Sequence, residues 1–261
     1  MSDDERFIAV TSGILAAAYW GGWLSIATGT NRLARPAWRV VAVIGMVLVS
    51  LAVVFIALVT RADPQVRSST GYVVLFLGVA AVTLAAAGVV GWALGLPVLD
   101  GFVRDRNRAI GWAVGGLWLG TGLVNAGANI GRGDTIYTTL GPLALALGAL
   151  LALAVILAAM TGRFRAIRLD RDTPAGVRVG GLFIAWGAIL GRAVAGDWES
   201  TRQTWEDFFA YGRPVLLLLI AAVPVEWALR PTVRRPRTGW AMGFVPAAAY
   251  LGAAAASVVF L

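Results

Sequence analysis

The chain has no cysteine, no histidine and no lysine; all 22 of its basic residues are arginine. Without cysteine or histidine there is no disulfide, no thiolate or imidazole metal site, no haem ligation through those residues, and no Ser–His or Cys–His catalytic pair. Without lysine there is no Schiff base to retinal or PLP. Charge is scarce as well. Only 14% of the 261 residues are charged, against 59% hydrophobic, and the mean hydropathy is +0.77. A soluble core cannot hide that much apolar sequence, so lipid is the expected solvent. These absences leave few enzyme classes, and no cofactor or metal is expected. An isoelectric point near 11.1 would suit a nucleic-acid binder. The arginines, however, fall in short loops between apolar runs, where they orient the chain and meet headgroups. Membrane lipids are therefore expected partners and nucleic acid is not.

What the chain has is long, continuous apolar runs. They predict eight transmembrane helices at about 8–28, 38–60, 72–99, 109–130, 139–160, 176–196, 208–229 and 238–260. Each is close to the roughly 20 residues a bilayer core requires. A β-barrel would instead show weaker, alternating ten-residue segments. The first seven residues are acidic and lack the basic start of a secretory signal, so 8–28 reads as a retained span. The expected fold is all-α: a polytopic membrane protein of eight transmembrane helices built from repeated helical hairpins.

Arginine placement predicts the orientation. The loops after spans one, three, five and seven hold fifteen arginines: Arg32, Arg35, Arg39, Arg104, Arg106, Arg108, Arg163, Arg165, Arg168, Arg171, Arg178, Arg230, Arg234, Arg235 and Arg237. The other side holds five: Arg6, Arg61, Arg67, Arg132 and Arg202. The positive-inside rule puts the fifteen in the cytoplasm and both termini outside a bacterial inner membrane.

The stretch from Leu169 to Trp198 organises the rest. A charged, Pro-containing approach leads into a glycine-rich apolar run that closes on Gly-Asp-Trp. From Asp105 to Arg132, ten of 28 positions carry the same residue as the position 65 later, including Asp105/Asp170, Arg106/Arg171, Gly122/Gly187 and the block Val114–Leu117/Val179–Leu182. A fixed-period echo marks a repeated supersecondary unit. A fainter copy, Gly239-Trp-Ala-Met-Gly243, matches Gly111-Trp-Ala-Val-Gly115. The expected units are 1–71, 72–132, 133–198 and 199–261, all in one membrane domain. Each is a hairpin with an even number of spans, so the copies are parallel. The inverted repeats of many transporters are not expected.

Glycine pairs four apart recur in the outward-running helices. Gly115, Gly116, Gly180, Gly181, Gly187 and Gly191 are candidate helix-packing positions, because small residues let backbones approach closely. Packing within the chain is the favoured reading; a subunit interface or a pore wall is the sharper one. Arg192 and Arg213 sit about one turn inside spans six and seven. There they either snorkel toward Asp197, Glu199, Glu206 or Asp207, or line an outward-facing polar vestibule. Asn125 and Asn129, spaced i, i+4, share a face as interhelical glue or as part of a solvated path. Arg192, Arg213, Asn125, Asn129 and Asp197 together form the candidate polar path. Glu226 is expected to pair with Arg230 four residues on, with a proton relay as the alternative. Trp20, Trp23, Trp38, Trp198, Trp205 and Trp240 suit an aromatic belt, whereas Trp112, Trp118 and Trp186 suit packing. Pro142, Pro214, Pro224 and Pro246 should kink their spans. Asp170 and Asp172, like Asp105 and Asn107, suit helix caps.

The residues Asp170…Gly176…Gly180-Gly181…Gly187…Gly191-Arg192-Ala-Val-Ala-Gly196-Asp197 resemble the YjfL-like family of bacterial inner-membrane proteins, a domain of unknown function. The resemblance covers 165–200 best and 100–132 less closely, and Asp172-Thr-Pro174 departs from the Asn-rich entry of that family. It implies four-span domains that occur in tandem, a cell-membrane location, no established activity, and an association of relatives with membrane-stress or remodelling systems.

Three functions follow from these readings. The first is a non-enzymatic membrane component that forms a homo-oligomer or recruits a membrane-protein partner. The second is an ion channel or small-solute transporter using the polar path near the outer face. The third and weakest is a lipid-modifying enzyme, for which no catalytic set is assembled.

Overall fold

Among the described residues, glycine, proline and short polar caps punctuate stretches that are otherwise helical. The computed structural model describes residues 1–29, 37–131, 136–197, 201–230 and 239–260. Eleven α-helices run through them: α1 (Asp3–Gly29), α2 (Ala37–Thr60), α3 (Pro64–Arg67), α4 (Thr70–Ala93), α5 (Arg108–Ala128), α6 (Ile136–Thr161), α7 (Arg163–Leu169), α8 (Thr173–Ala193), α9 (Thr201–Gly212), α10 (Pro214–Ala228) and α11 (Ala241–Phe260). A π-helical turn, Val98–Arg104, precedes α5. Eight segments are long and apolar enough to cross a membrane, with α9 and α10 counting as one. The protein is therefore an all-α, polytopic membrane protein. Arg32, Arg35, Arg132, Arg234, Arg235, Arg237, Trp198 and Glu199 lie outside the described residues.

The first span starts earlier than expected, at Asp3, and the sixth is shifted to Thr173–Ala193; two larger differences each have a local reason. The third span stops at Ala93, not at Leu99, because Gly95 takes a left-handed φ of 86° and Pro97 follows. The seventh begins earlier, near Thr201, and is interrupted at Arg213, where Pro214 opens α10 without an N–H to continue the ladder. Pro142, Pro224 and Pro246 stay inside α6, α10 and α11.

Burial divides the spans into a core and a sheath. In α5 and α8 about four-fifths of the spanning window is enclosed, 78% and 83%, against 11% for α1 and 22% for α11. These two helices lie side by side, with α2 against α5 and α11 against α8, so the row runs α2, α5, α8, α11. Helices α4, α6 and α10 cover the central pair, and α1 leans mainly on α4. The sheath turns large apolar side chains outward, among them Phe7, Ile14, Leu217 and Ile220. In water these would be a liability; in hydrocarbon they are the expected surface.

The α5–α8 seam is made of backbone. A Cβ placed on Gly116 would overlap Gly180, one on Gly127 would overlap Gly191, and one on Gly187 would overlap Gly120. Apolar burial gives no drive in lipid, so close backbone contact of this kind supplies dispersion and Cα–H···O contacts instead. Any side chain at these positions pushes the helices apart.

The approaches to α5 and α8 match position for position at an offset of 65. Asp105 and Asp170 both sit in the right-handed helical region, and Arg106 and Arg171 follow with left-handed φ of 60° and 53°. Asn107 and Asp172 then cap the helix, their side chains accepting from the N–H groups of Ala109 and Ala175. Both helices run 21 residues. The cap reading of Asn107 and Asp172 is thus seen directly, whereas Asp105 and Asp170 end the preceding turns rather than start the spans.

Tryptophan placement splits. Trp118 and Trp186 are buried, and Trp38, Trp205 and Trp240 are exposed. Trp20, expected in the belt, instead donates its indole N–H to Ala81 O at 3.1 Å and meets Trp118 edge-on. Trp112, expected to pack, is half exposed on the rim of a groove.

Candidate functional site

Two features stand apart from ordinary helix packing, and both gather around α8. The first is a groove of about 440 Å³ over the α5–α8 seam, walled by α2 on one side and α11 on the other. Glycines form much of its lining, including Gly45, Gly115 and Gly181, and Met46, Phe244 and Leu251 complete the walls. Its volume lies within the ~300–1,000 Å³ typical of binding clefts. A Cβ on Gly45 would meet nothing within 4 Å, and one on Gly115 would meet only Met46. Two aromatics line the groove and a third adjoins them: Trp112 meets Phe244 edge-on at 5.9 Å, and Trp240 stacks on Phe244 at 5.7 Å.

The second is a buried cluster of four charges at the arginine-rich end. Arg178, fully enclosed in α8, clasps Glu226 of α10 with two bonds, Nε to Oε1 at 2.7 Å and Nη2 to Oε2 at 2.9 Å. Its remaining Nη1 donates to the carbonyl of Met242 in α11 at 2.9 Å. Arg163, at the start of α7, approaches the same carboxylate at 3.1 Å and also donates to the Glu226 carbonyl. Asp172 lies 3.8 Å from Arg163 and closes a balanced set of two cations and two anions. One guanidinium therefore ties α8 to α10 and α11. Burial holds the Arg163 guanidinium below its ordinary range, and the carboxylates of Glu226 and Asp172 act in the opposite sense. The Tyr250 hydroxyl, within electrostatic reach of Glu226 and Arg178, has no hydrogen-bond partner among the described residues.

This cluster corrects two sequence expectations. Arg178 is not a loop arginine; it lies five residues into α8, with no accessible surface. Glu226 does not pair with Arg230, whose guanidinium donates instead to the Thr161 carbonyl. An i, i+4 spacing makes a pair available, but a bidentate partner on another helix outcompetes it. The cluster is hard to see in a linear reading because its members come from three segments, α7, α8 with its cap, and α10. The available signal was the one carboxylate inside a predicted span, which demands a cation somewhere in the bundle.

The candidate polar-path residues turn to different neighbours. Asn125 Nδ2 donates to Thr83 Oγ1 of α4 at 2.9 Å and to Thr121 O within its own helix at 2.9 Å. Asn129 is the C-cap of α5, and its Nδ2 donates to Asn125 O at 2.8 Å. Arg192 lies with its guanidinium 4.3 Å from the ring centroid of Tyr211. Arg213 is exposed at the α9–α10 break, and Asp197 is exposed beyond α8. Glu206 is engaged by Arg202, not by Arg192 or Arg213. Asn125 thus faces α4, Asn129 closes the end of its own helix, and Arg192 faces α9.

The six candidate packing glycines all sit at contacts within the chain. Gly116, Gly180, Gly187 and Gly191 face the partner backbone across the α5–α8 seam, Gly115 faces Met46 of α2, and Gly181 faces Ala247 of α11. Another arginine counted in a loop is also structural. Arg39 is buried, donates to Phe102 O at 2.9 Å and lies against the rings of Trp38 and Phe102.

Comparison of the chain with family models, curated proteins and solved structures returns no match.

Proposed function

We propose that the protein is a non-enzymatic, multi-pass component of a bacterial inner membrane that associates with a second copy of itself. The arginine-rich end faces the cytoplasm and both termini face outward, as the positive-inside bias favours. The matched approaches to α5 and α8 support a duplicated unit, with 72–132 and 133–198 as its copies. The resemblance of 165–200 to the YjfL-like family supports the membrane placement and adds no activity.

The observation that carries self-association is the glycine-lined groove together with the face beside it. Helix α11 forms one wall and continues outward as a strip of small, exposed residues: Ala248, Ala249, Gly252, Ala255 and Ala256. A Cβ on Gly252 would meet nothing within 4 Å. A guest with no polar lining to satisfy it must satisfy its own backbone, which a helix does. Two copies related by a two-fold axis would cross their α11 strips at the axis, so that each strip meets its counterpart while its helix covers the other's groove, a self-complementary arrangement.

The absence of cysteine makes the test clean. Gly252→Cys introduces the sole thiol, and a cross-link requires Cα atoms within ~7 Å. Oxidation in native membranes should give a covalent dimer for Gly252→Cys and none for Ile14→Cys on the sheath helix α1. Equal cross-linking of the two, or none from Gly252→Cys or its neighbour Ala248→Cys, overturns the reading.

A channel or small-solute transporter is the second reading. What favours it is Asn125 Oδ1, buried with no hydrogen-bond partner among the described residues, where a water or a passing solute would be accommodated.

A further inference from the structure

On the arginine-rich end, away from the groove, lies an open bowl of about 400 Å³ between the end of α6, the short helix α7 and the end of α10. Three arginines line it, Arg163, Arg165 and Arg230, with one acid, Asp170. Arg163 forms the buried floor and is held by Glu226, so it contributes field rather than free N–H groups. Arg230 is fixed by its bond to the Thr161 carbonyl and keeps its other donors. Arg165 is exposed and has no ion-pair partner among the described residues. From these groups we infer that the bowl binds the phosphate of an anionic glycerophospholipid.

The surroundings distinguish a lipid from a soluble phosphate compound. Exposed apolar side chains border the bowl: Met160 at 49%, Trp227 at 52% and Leu169 at 60%. The Trp227 indole N–H donates to Met160 O at 3.1 Å, which ties the edge of the ring to the end of α6. Tryptophan at the end of a span marks the headgroup level. A phosphate held by Arg165 and Arg230 would thus run its acyl chains down past Met160 and Trp227 into hydrocarbon. Basic pockets between transmembrane helices recognise anionic headgroups in this way. Asp170 sets the charge limit. Its carboxylate on the rim opposes a second anionic group, so the site selects a single phosphodiester over a multiply phosphorylated headgroup. Arginine also suits the role, because its planar fork grips two phosphate oxygens at once.

The site is independent of self-association; it requires only that this end lie at a membrane surface. Native mass spectrometry of the full chain, extracted with phosphatidylglycerol or phosphatidylcholine, reads it directly. Wild type should retain phosphatidylglycerol selectively, and R165Q should lower that retention about fivefold, the equivalent of ~1 kcal/mol per surface arginine. R165Q removes an exposed side chain that makes no described bond, so the fold persists. R104Q, an arginine at the same end but outside the bowl, should leave retention unchanged. Equal retention by R165Q and wild type, or an equal loss in R104Q, overturns the site. Displacement of the lipid by millimolar inorganic phosphate would assign the bowl to a soluble phosphate and overturn the lipid.

Discussion

Helices α5 and α8 have the same length, the same approach and the same kind of cap, yet their ends at the arginine-rich face are built from different chemistry. Where α8 buries Arg178, the position 65 earlier in α5 is Ala113, equally buried. Where Arg163, Asp172 and Glu226 surround Arg178, the corresponding positions are Val98, Asn107 and Thr161. All three are buried and neutral. The neutral set is satisfied without charge: Asn107 caps α5 and donates across to the α7 carbonyls of Ile167 and Arg168, and Thr161 Oγ1 donates to Leu157 O and accepts from the Arg163 N–H. One backbone plan therefore supports either an apolar end or an ionic one. The ionic end ties in two further helices, α10 and α11, through a single guanidinium. The comparison teaches that the shared residues specify backbone approach, and the unshared ones decide what each helix recruits.

The shared seam should be the hardest part to alter. Gly116→Val or Gly187→Val places a branched side chain where the opposing backbone already lies. Overpacking usually costs ~1–3 kcal/mol, but here neither helix can yield without leaving the row. Both variants should fail to give a monodisperse peak on size exclusion in mild detergent. If Gly116→Val elutes and melts like wild type, the seam is not what holds α5 to α8.

The two ends should then separate. Glu226→Ala leaves Arg163 and Arg178 buried without a carboxylate between them. Breaking a buried pair in this way costs ~3–5 kcal/mol. Thr161→Ala, at the corresponding neutral position, removes two hydroxyl bonds, one to the Leu157 carbonyl and one from the Arg163 N–H, and should cost about 1–2 kcal/mol. Thermal melts of the two variants in one detergent compare them directly. A Glu226→Ala melt no lower than that of Thr161→Ala would mean that the ion cluster is solvated rather than buried.

This contrast also marks how far the sequence could be read. Period and composition are properties of one segment at a time. The eight spans and the caps at Asn107 and Asp172 were accordingly legible. The groove was not, since it exists only once α2 and α11 flank the seam. Nor was the partner of Glu226. Arg178 lies 48 positions away in sequence, and at the third residue of the predicted span 176–196 it was counted with the loop arginines that precede it. Arg192 and Asn125 looked like members of one path because they lie at a similar depth. Depth follows from position along a helix, but the neighbour each side chain faces follows from the rotation of that helix in the bundle. The stacking of Arg192 on Tyr211 and the bond from Asn125 to Thr83 depend on that rotation.

The smallest expected effect concerns the one irregular feature that the two approaches share. Arg106 and Arg171 both hold a left-handed backbone, at φ of 60° and 53°, a conformation that costs an L-residue ~1–2 kcal/mol and glycine almost nothing. Replacing either with glycine relieves that strain, but it also frees the unfolded chain, which offsets part of the gain. The net change should be a stabilisation below ~1 kcal/mol at each site, seen as a small rise in melting temperature. Neither arginine forms an ion pair among the described residues, so no ion pair is lost to mask it. Because the backbone is matched at the two sites, Arg106→Gly and Arg171→Gly should shift the melt by the same amount. They should do so even though one precedes the neutral end and the other the ionic one. Unequal shifts would show that the charge cluster reaches back into the turn that leads to α8, and the two approaches would then differ in energy as well as in side chains.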